Sequence, residues 1–470
     1  MSPGAGAGAE VRQASPLKRR EIIDALRMGA VPRRGLELFA TGLERFAAAI
    51  DQELESAASG RGKFKAVRGE YGAGKTFFSR WVEHRARERG FATTLVQISE
   101  TDTPLYRLET VYRRAIEGLE TAEWSSGAFR SLIDRWFYDL EEEVLDPGAG
   151  PGGRAGGGAA IDAPIDPDDP EAVARAVGEL LERRLVAVSR VQPQFAAALR
   201  ACHTARLRGE VATSEGLIAW LMGQPSVSAS IKRVAGIKGD LDNDAAAGFL
   251  RGLLEVLRQT GRKGLVLVLD EVETIQRVKR DSREKSLNAL RGLIDAVAEN
   301  AFPGLYVLIT GTPAFYDGPR GVKLSQALAM RLGTYEDDAF ASAKAVQIGL
   351  EPFSLDRMVE VGRKVRGLYP SAVEERIAAR VTDAVLQDLA RGVAGKLGGK
   401  VGVAPRIFLG RLVDILDRVD EHEEFDPAVH YKLVLQASEL TAVEREAAGV
   451  ERSVDDIELD LDAGTDDGGS

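Results

Sequence analysis

The chain has 470 residues, 44% of them apolar, and a formal net charge of -10. That length exceeds one ordinary core of about 100–200 residues, so two or three packed units are expected, and the acidic balance excludes a protein whose whole surface binds nucleic acid. A single cysteine, Cys202, excludes an internal disulfide framework or a cysteine-type zinc site, and His84, His203, His422 and His430 lack the H-x-x-x-H spacing of a metal site.

The first residues, "MSPGAGAGAEVRQASPLKRR", carry no apolar core of the secretory type, and no apolar run approaches the ~20 residues that cross a bilayer. A cytoplasmic protein with no membrane partner is expected. Residues 17–57 read as two amphipathic helices, "LKRREIIDALRMG" and "LELFATGLERFAAAIDQELESAA", split by the turn "AVPRRG". "GKFKAVRG" reads as a short buried strand running into a glycine loop. "KTFFSRWVEHRARERG" then has helical periodicity, and "FATTLVQIS" is a second strand.

Two helical stretches follow, "TPLYRLETVYRRAIEGL" and "GAFRSLIDRWFYDLEEEVL". Residues 146–170, "DPGAGPGGRAGGGAAIDAPIDPDDP", are too poor in large apolar side chains to order themselves and read as a flexible loop. Residues 171–258 are helical in pattern, broken at "MGQPSVSAS". Further strands are expected at "GLVLVLDEVE", "GLYVLITGTP" and "AVQIGLEPF", with a helical stretch from Leu355 to about Ala448 and a disordered acidic tail over 449–470.

The octapeptide "GEYGAGKT", residues 69–76, fits G-x-x-x-x-G-K-[ST] and lies between a strand and a helix, the setting a phosphate loop requires. Gly69, Glu70, Tyr71, Gly72, Ala73, Gly74, Lys75 and Thr76, with Phe77 at the helix start, form the expected nucleotide-binding set. The glycines let backbone N–H groups turn toward phosphates and the helix N-terminus favours negative charge. Lys75 would reach the β and γ phosphates, and Thr76 would place its hydroxyl on Mg²⁺. An ordinary glycine turn is the alternative, and the flanking strand and helix argue against it.

"LVLVLDEVE" supplies a second half-site, because a buried strand ending in Asp270 and Glu271 delivers two carboxylates at the C-terminal edge of a parallel sheet. Asp270 would hold Mg²⁺, and Glu271 would polarise the attacking water. The segment "IQRVKRDSREKS", 275–286, is locally basic and reads either as a solvated helix face or as a surface for nucleic-acid phosphates.

The ordered set of phosphate loop, "VLVLDE", strand end "LITGT", a later arginine and a helical tail resembles AAA+ ATPases, nearest the origin-recognition and Cdc6-like branch. "VPRRGLELFATGLERF", "FKAVRGEYGAGKTFFSRW", "VQISETDTPLYRLETVYRR" and "VLITGTPAFYDGP" resemble the BrxD-like ATP-binding proteins of bacteriophage-exclusion (BREX) systems. The resemblance implies an α/β P-loop core with a parallel sheet over 61–353, reached through an N-terminal helical segment, 1–60. It implies a helical lid over 354–448. In departure from it, the stretch before "LVLVLDE" is longer than a compact AAA+ core needs, so residues 146–250 read as an insertion, the loop 146–170 followed by helices over 171–250.

The same resemblance puts the γ-phosphate sensor at Thr312, with Thr310 as neighbouring candidate, where AAA+ proteins often have Asn. It implies an arginine finger at Arg331, acting on a neighbouring subunit's ATP, although a helix-surface arginine fits the same segment. A second sensor falls at Arg406. In departure from the origin-recognition branch, its common winged-helix domain is not expected after the lid.

The implied function is an ATPase of a defence complex, using ATP and Mg²⁺, working as a homo-oligomer or with other defence proteins on DNA or a DNA-bound partner. A nucleotide-gated scaffold with little turnover is the alternative, and a phosphate-loop kinase a weaker third.

Overall fold

The computed structural model describes residues 14–146, 169–335, 340–396 and 405–435. Most of the glycine-rich stretch 146–170 and all of the acidic tail 449–470 lie outside the described residues.

Five strands form one parallel sheet: β1 (Lys63–Arg68), β2 (Ala92–Gln97), β3 (Leu265–Asp270), β4 (Leu305–Gly311) and β5 (Gln347–Gly349), in the order β2-β3-β4-β1-β5. Each falls inside a segment that the sequence marks as strand. Every residue of β3 and β4 is buried, as expected for central parallel strands covered on both faces.

The helices in chain order are α1 (Pro16–Arg27), α2 (Glu44–Ala58), α3 (Lys75–Glu88), α4 (Leu108–Glu117), α5 (Ala128–Leu145), α6 (Pro170–Val191), α7 (Pro193–Leu207), α8 (Val211–Leu221), α9 (Ala229–Val234) and α10 (Asn243–Gln259). They continue as α11 (Arg280–Ala298), α12 (Pro313–Asp317), α13 (Gln326–Leu332), α14 (Leu355–Leu368), α15 (Glu374–Arg380), α16 (Asp383–Lys396), α17 (Pro405–Glu421) and α18 (Pro427–His430).

One local expectation changes. "LELFATGLERF" opens as a single 3-10 turn, Leu36–Leu38, and α2 starts only at Glu44. Gly42 takes a left-handed backbone with φ 73, which a continuous right-handed helix cannot pass through.

The chain divides into two compact units, one of residues 43–69 and 75–350, the other of 1–42, 70–74 and 351–470. In the first, α3 buries Phe78, Val82 and Ala86 at i, i+4 spacing, and α10 buries Phe249, Leu253 and Leu257 in the same way. Phe249 meets Tyr112, Phe195 and Trp220 edge-on, at centroid distances of 5.7, 5.4 and 5.0 Å, so that this ring joins α10 to α4, α7 and α8.

In the second unit α1 lies on α17, where Arg27 Nε and Nη2 each donate to one oxygen of Asp417 at 2.9 Å. Tyr369 donates to the same carboxylate at 2.8 Å. Among the described residues no helix is long and apolar enough to cross a membrane.

Candidate nucleotide site

Parallel pairing brings the C-terminal ends of the strands to one edge, and the register decides who meets there. Gln97 pairs with Asp270, Leu269 with Ile309, and Arg68 with Gly311. The chain leaves β1 at Gly69, whose N–H donates to Gly311 O at 3.1 Å, and a turn closes with Ala73 N–H donating to Glu70 O at 3.1 Å. Gly72 and Gly74 have φ of 78 and 87, a backbone that would cost other residues about 1–2 kcal/mol each. The loop opens directly into α3, whose first residue is Lys75.

Lys75 is buried, and its Nζ donates to Gly69 O at 2.9 Å. The same Nζ lies 3.8 Å from Glu273 Oε1. Glu273 is 4% exposed, and neither of its carboxylate oxygens has a hydrogen-bond partner. Burial pushes its carboxyl above the usual range, with Lys75 opposing that rise. A buried carboxyl without a hydrogen-bond donor thus stands beside the buried Lys75 ammonium.

Next to it, Thr76 Oγ1 donates to Asp270 Oδ2 at 2.9 Å. Thr310, fully buried on β4, donates its hydroxyl to Asp270 Oδ1 and accepts the Glu271 N–H at 3.2 Å. Glu271 itself is a non-glycine residue in the left-handed region, φ 59 and ψ 42. Such a conformation persists only where surroundings impose it. Here the N–H is fixed by Thr310 and by Asp270 Oδ1 at 3.2 Å, while Thr274 Oγ1 donates to Glu271 O at 2.9 Å. The twist lifts Glu271 out of the strand, and its Oε2 accepts a hydrogen bond from Gln97 Nε2 at 2.9 Å.

The site therefore joins Gly69, Lys75, Thr76, Asp270, Glu271 and Thr310. Thr312 stands one step past β4, buried at the N-cap of α12 without a side-chain cap bond. Arg331 lies outside this cluster, exposed on α13, where Nε donates to Asp295 of α11 and Nη1 to Ala327 O at 3.0 Å. Arg406, exposed at the second position of α17, runs beside α1, with Nη1 3.5 Å from where a β-carbon on Gly29 would stand.

Two residues that sequence reasoning passed over belong to the cluster. Gln97 is the last residue of β2, and Glu273 is the second glutamate of "DEVE". Each is a visible signal only once the register is known.

The residues fit the group that the loop implies. The glycine loop, the helix start and the Lys75 ammonium suit phosphate oxygens. Thr76 Oγ1 with the Asp270 carboxylate is a hard oxygen pair suited to Mg²⁺.

A five-stranded parallel α/β sheet with a phosphate-type loop between β1 and α3 defines a P-loop-like protein. A family model described as "BREX system ATP-binding protein BrxC/D" matches residues 14–434. The chain belongs to this BrxC/BrxD family of ATP-binding proteins of BREX anti-phage systems. The comparison with curated proteins gives no match.

Proposed function

We propose that the protein hydrolyses ATP with Mg²⁺ and uses the cycle to drive assembly or remodelling in a BREX defence complex acting on DNA or on a DNA-bound partner. The observation that carries this reading is the hydrogen-bonded chain Thr76–Asp270–Thr310–Glu271 beside Lys75. It supplies a cation-binding oxygen pair and a separate carboxylate for water in one place.

Residues 69–77 would hold the nucleotide, with Lys75 transferring its ammonium from Gly69 O and Glu273 to phosphate oxygens. Thr76 and Asp270 would hold Mg²⁺. When bound, the cation neutralises charge that builds up on the phosphate oxygens. Glu271 Oε2, once released by Gln97, accepts a hydrogen bond from the attacking water and orients it. Thr310 keeps Asp270 and the Glu271 N–H in register, which makes it the better placed of the two threonine candidates; Thr312 is the alternative sensor. The AAA+ likeness of the sequence assigns Arg406 as second sensor and the segments 61–353 and 354–448 as core and lid.

Arg331 acts in trans in this reading, which requires a second subunit and release of the Asp295 pair. Full-length protein should therefore release phosphate from ATP, and Lys75→Ala and Arg331→Ala should each abolish that release. Mixing the two inactive variants should restore part of it, because a subunit with intact Lys75 can meet a neighbour with intact Arg331. Unchanged turnover in Lys75→Ala would refute hydrolysis at this site; no recovery on mixing would refute the trans role.

One observation favours a second reading, a nucleotide-gated scaffold with little turnover. Glu271 is engaged by Gln97 and Lys75 by Gly69 and Glu273, so both working groups are internally satisfied. Nucleotide-dependent partner binding without phosphate release would select this reading.

A further inference from the structure

We propose that a basic surface at the C-terminal edge of β3 and β4, centred on Lys279, Lys285, Arg320 and Lys323, holds the phosphate backbone of duplex DNA. It deepens, and rests on, the DNA-directed part of the function proposed above.

Because β3 and β4 are adjacent and parallel, the segments that follow them leave the sheet at the same edge. After β3 and its Glu271 and Glu273, residues 277–285 hold Arg277, Lys279, Arg280, Arg283 and Lys285 against Asp281 and Glu284; after β4, residues 318–333 hold Arg320, Lys323 and Arg331 and no acid. These stretches are far apart in the chain, and the fold ties them together. Gln276 Nε2 donates to Ala314 O at 3.0 Å, and Arg331 on α13 pairs with Asp295 on α11.

Pairing within the molecule uses up several of the charges. Arg280 holds Glu284 at 3.1 Å, Arg277 faces Glu100 at 3.8 Å, and Asp317 is taken by Arg68 at 2.5 Å. Lys279, Lys285, Arg320 and Lys323 are exposed and have no ion-pair partner among the described residues. Asp281 is the single unpaired carboxylate of the two segments.

In a chain of net charge -10, such a local excess of cations opposes the overall field and selects a polyanion. Neither segment contains an aromatic residue, so there is no stacking platform for single-stranded bases and the contact is to duplex phosphates.

The surface is also mechanically close to the site. Arg283 Nη2 donates to Val278 O at 2.9 Å and fixes the turn that presents Lys279. The 3-10 turn Val272–Gln276 connects that segment to Glu271, and Thr274 Oγ1 links it to Ile98 O at 3.3 Å next to Gln97. DNA held here bears on the turn that sets the Gln97–Glu271 hydrogen bond, so duplex should change the rate of ATP turnover.

The test is binding of the full chain to a labelled duplex by anisotropy across a salt series. Four phosphate contacts give a slope of log K against log [salt] of about -3.6, a loss of roughly 100-fold between about 50 and 200 mM. Combined Lys279→Ala, Lys285→Ala, Arg320→Ala and Lys323→Ala should abolish most binding and flatten the slope, whereas Lys238→Ala, in the helical insertion, should change neither. Each single alanine should reduce the slope by about 0.9, which keeps the test open should the fourfold variant not fold.

Equal affinity and slope in wild type and variants would overturn the proposal. So would binding to polyglutamate as tight as binding to duplex, which would assign the surface to an acidic protein. Phosphate release with and without duplex is the separate readout for the enzymatic reading: its absence in wild type under both conditions, with intact duplex binding, would sink hydrolysis and leave this surface standing.

Discussion

Thr310→Val tests how the site is held together, because valine keeps the shape of threonine while removing the hydroxyl. In the structure that hydroxyl donates to the buried Asp270 carboxylate and accepts the Glu271 N–H at 3.2 Å. A hydrogen bond to a charged group contributes about 1.5–3 kcal/mol, and Asp270 Oδ1 keeps only the Glu271 N–H, at 3.2 Å, in its place. We therefore expect the sheet-containing unit to lose about 2 kcal/mol.

Thr312→Val serves as the matched control. It is equally buried but makes no side-chain cap bond, so it should cost less than about 1 kcal/mol. All four tryptophans, Trp81, Trp124, Trp136 and Trp220, lie in the unit of residues 43–69 and 75–350, so tryptophan fluorescence during urea unfolding reports that unit alone. The same two variants, assayed for phosphate release, should show turnover falling at least about tenfold for Thr310→Val and little for Thr312→Val, the strained Glu271 turn being released only in the first. Equal stability and equal turnover for the two would refute the role given to Thr310.

Two further perturbations follow from buried charge. Glu83 on α3 is fully buried, and burial lifts its carboxyl to about 7 against Arg80 and Arg87, which pull it down. The folded state then keeps this proton at pH values where the unfolded chain has released it. Stability should fall as pH rises from about 4.5 to about 7 and level off above, by about 3 kcal/mol in all. Glu83→Gln should remove this fall, and urea midpoints across the pH range would show it; an unchanged pH profile would contradict the argument. Glu273→Gln removes the anion 3.8 Å from Lys75 Nζ and should tighten ATP binding by roughly tenfold, about 1.4 kcal/mol, read by titration calorimetry. Weaker binding would show that Glu273 positions Lys75 instead of competing for it.

Local signals carried the scaffold. Turn glycines between an apolar strand and an amphipathic helix marked the phosphate loop, and the unbroken run "LVLVLD" marked a strand buried on both faces. Pairwise facts were not legible. Thr310 and Thr312 share strand parity, so alternation alone places both on the same side; only the end of β4 at Gly311 separates the one that reaches Asp270 from the one that stands at the N-cap position of α12. Gln97 meets Glu271 because β2 and β3 pair with Gln97 opposite Asp270 and because Glu271 turns left-handed. The Asp295 partner of Arg331 comes from a helix packed alongside it. Such contacts depend on register and helix placement, which a one-dimensional pattern does not encode.

The most direct test of the central claim compares ATP binding and phosphate release in wild-type protein and Glu271→Gln. The account predicts that Glu271→Gln binds ATP as tightly as wild type while turnover falls at least about 100-fold, the loss expected when a positioned base is removed. Wild-type turnover in Glu271→Gln would contradict it.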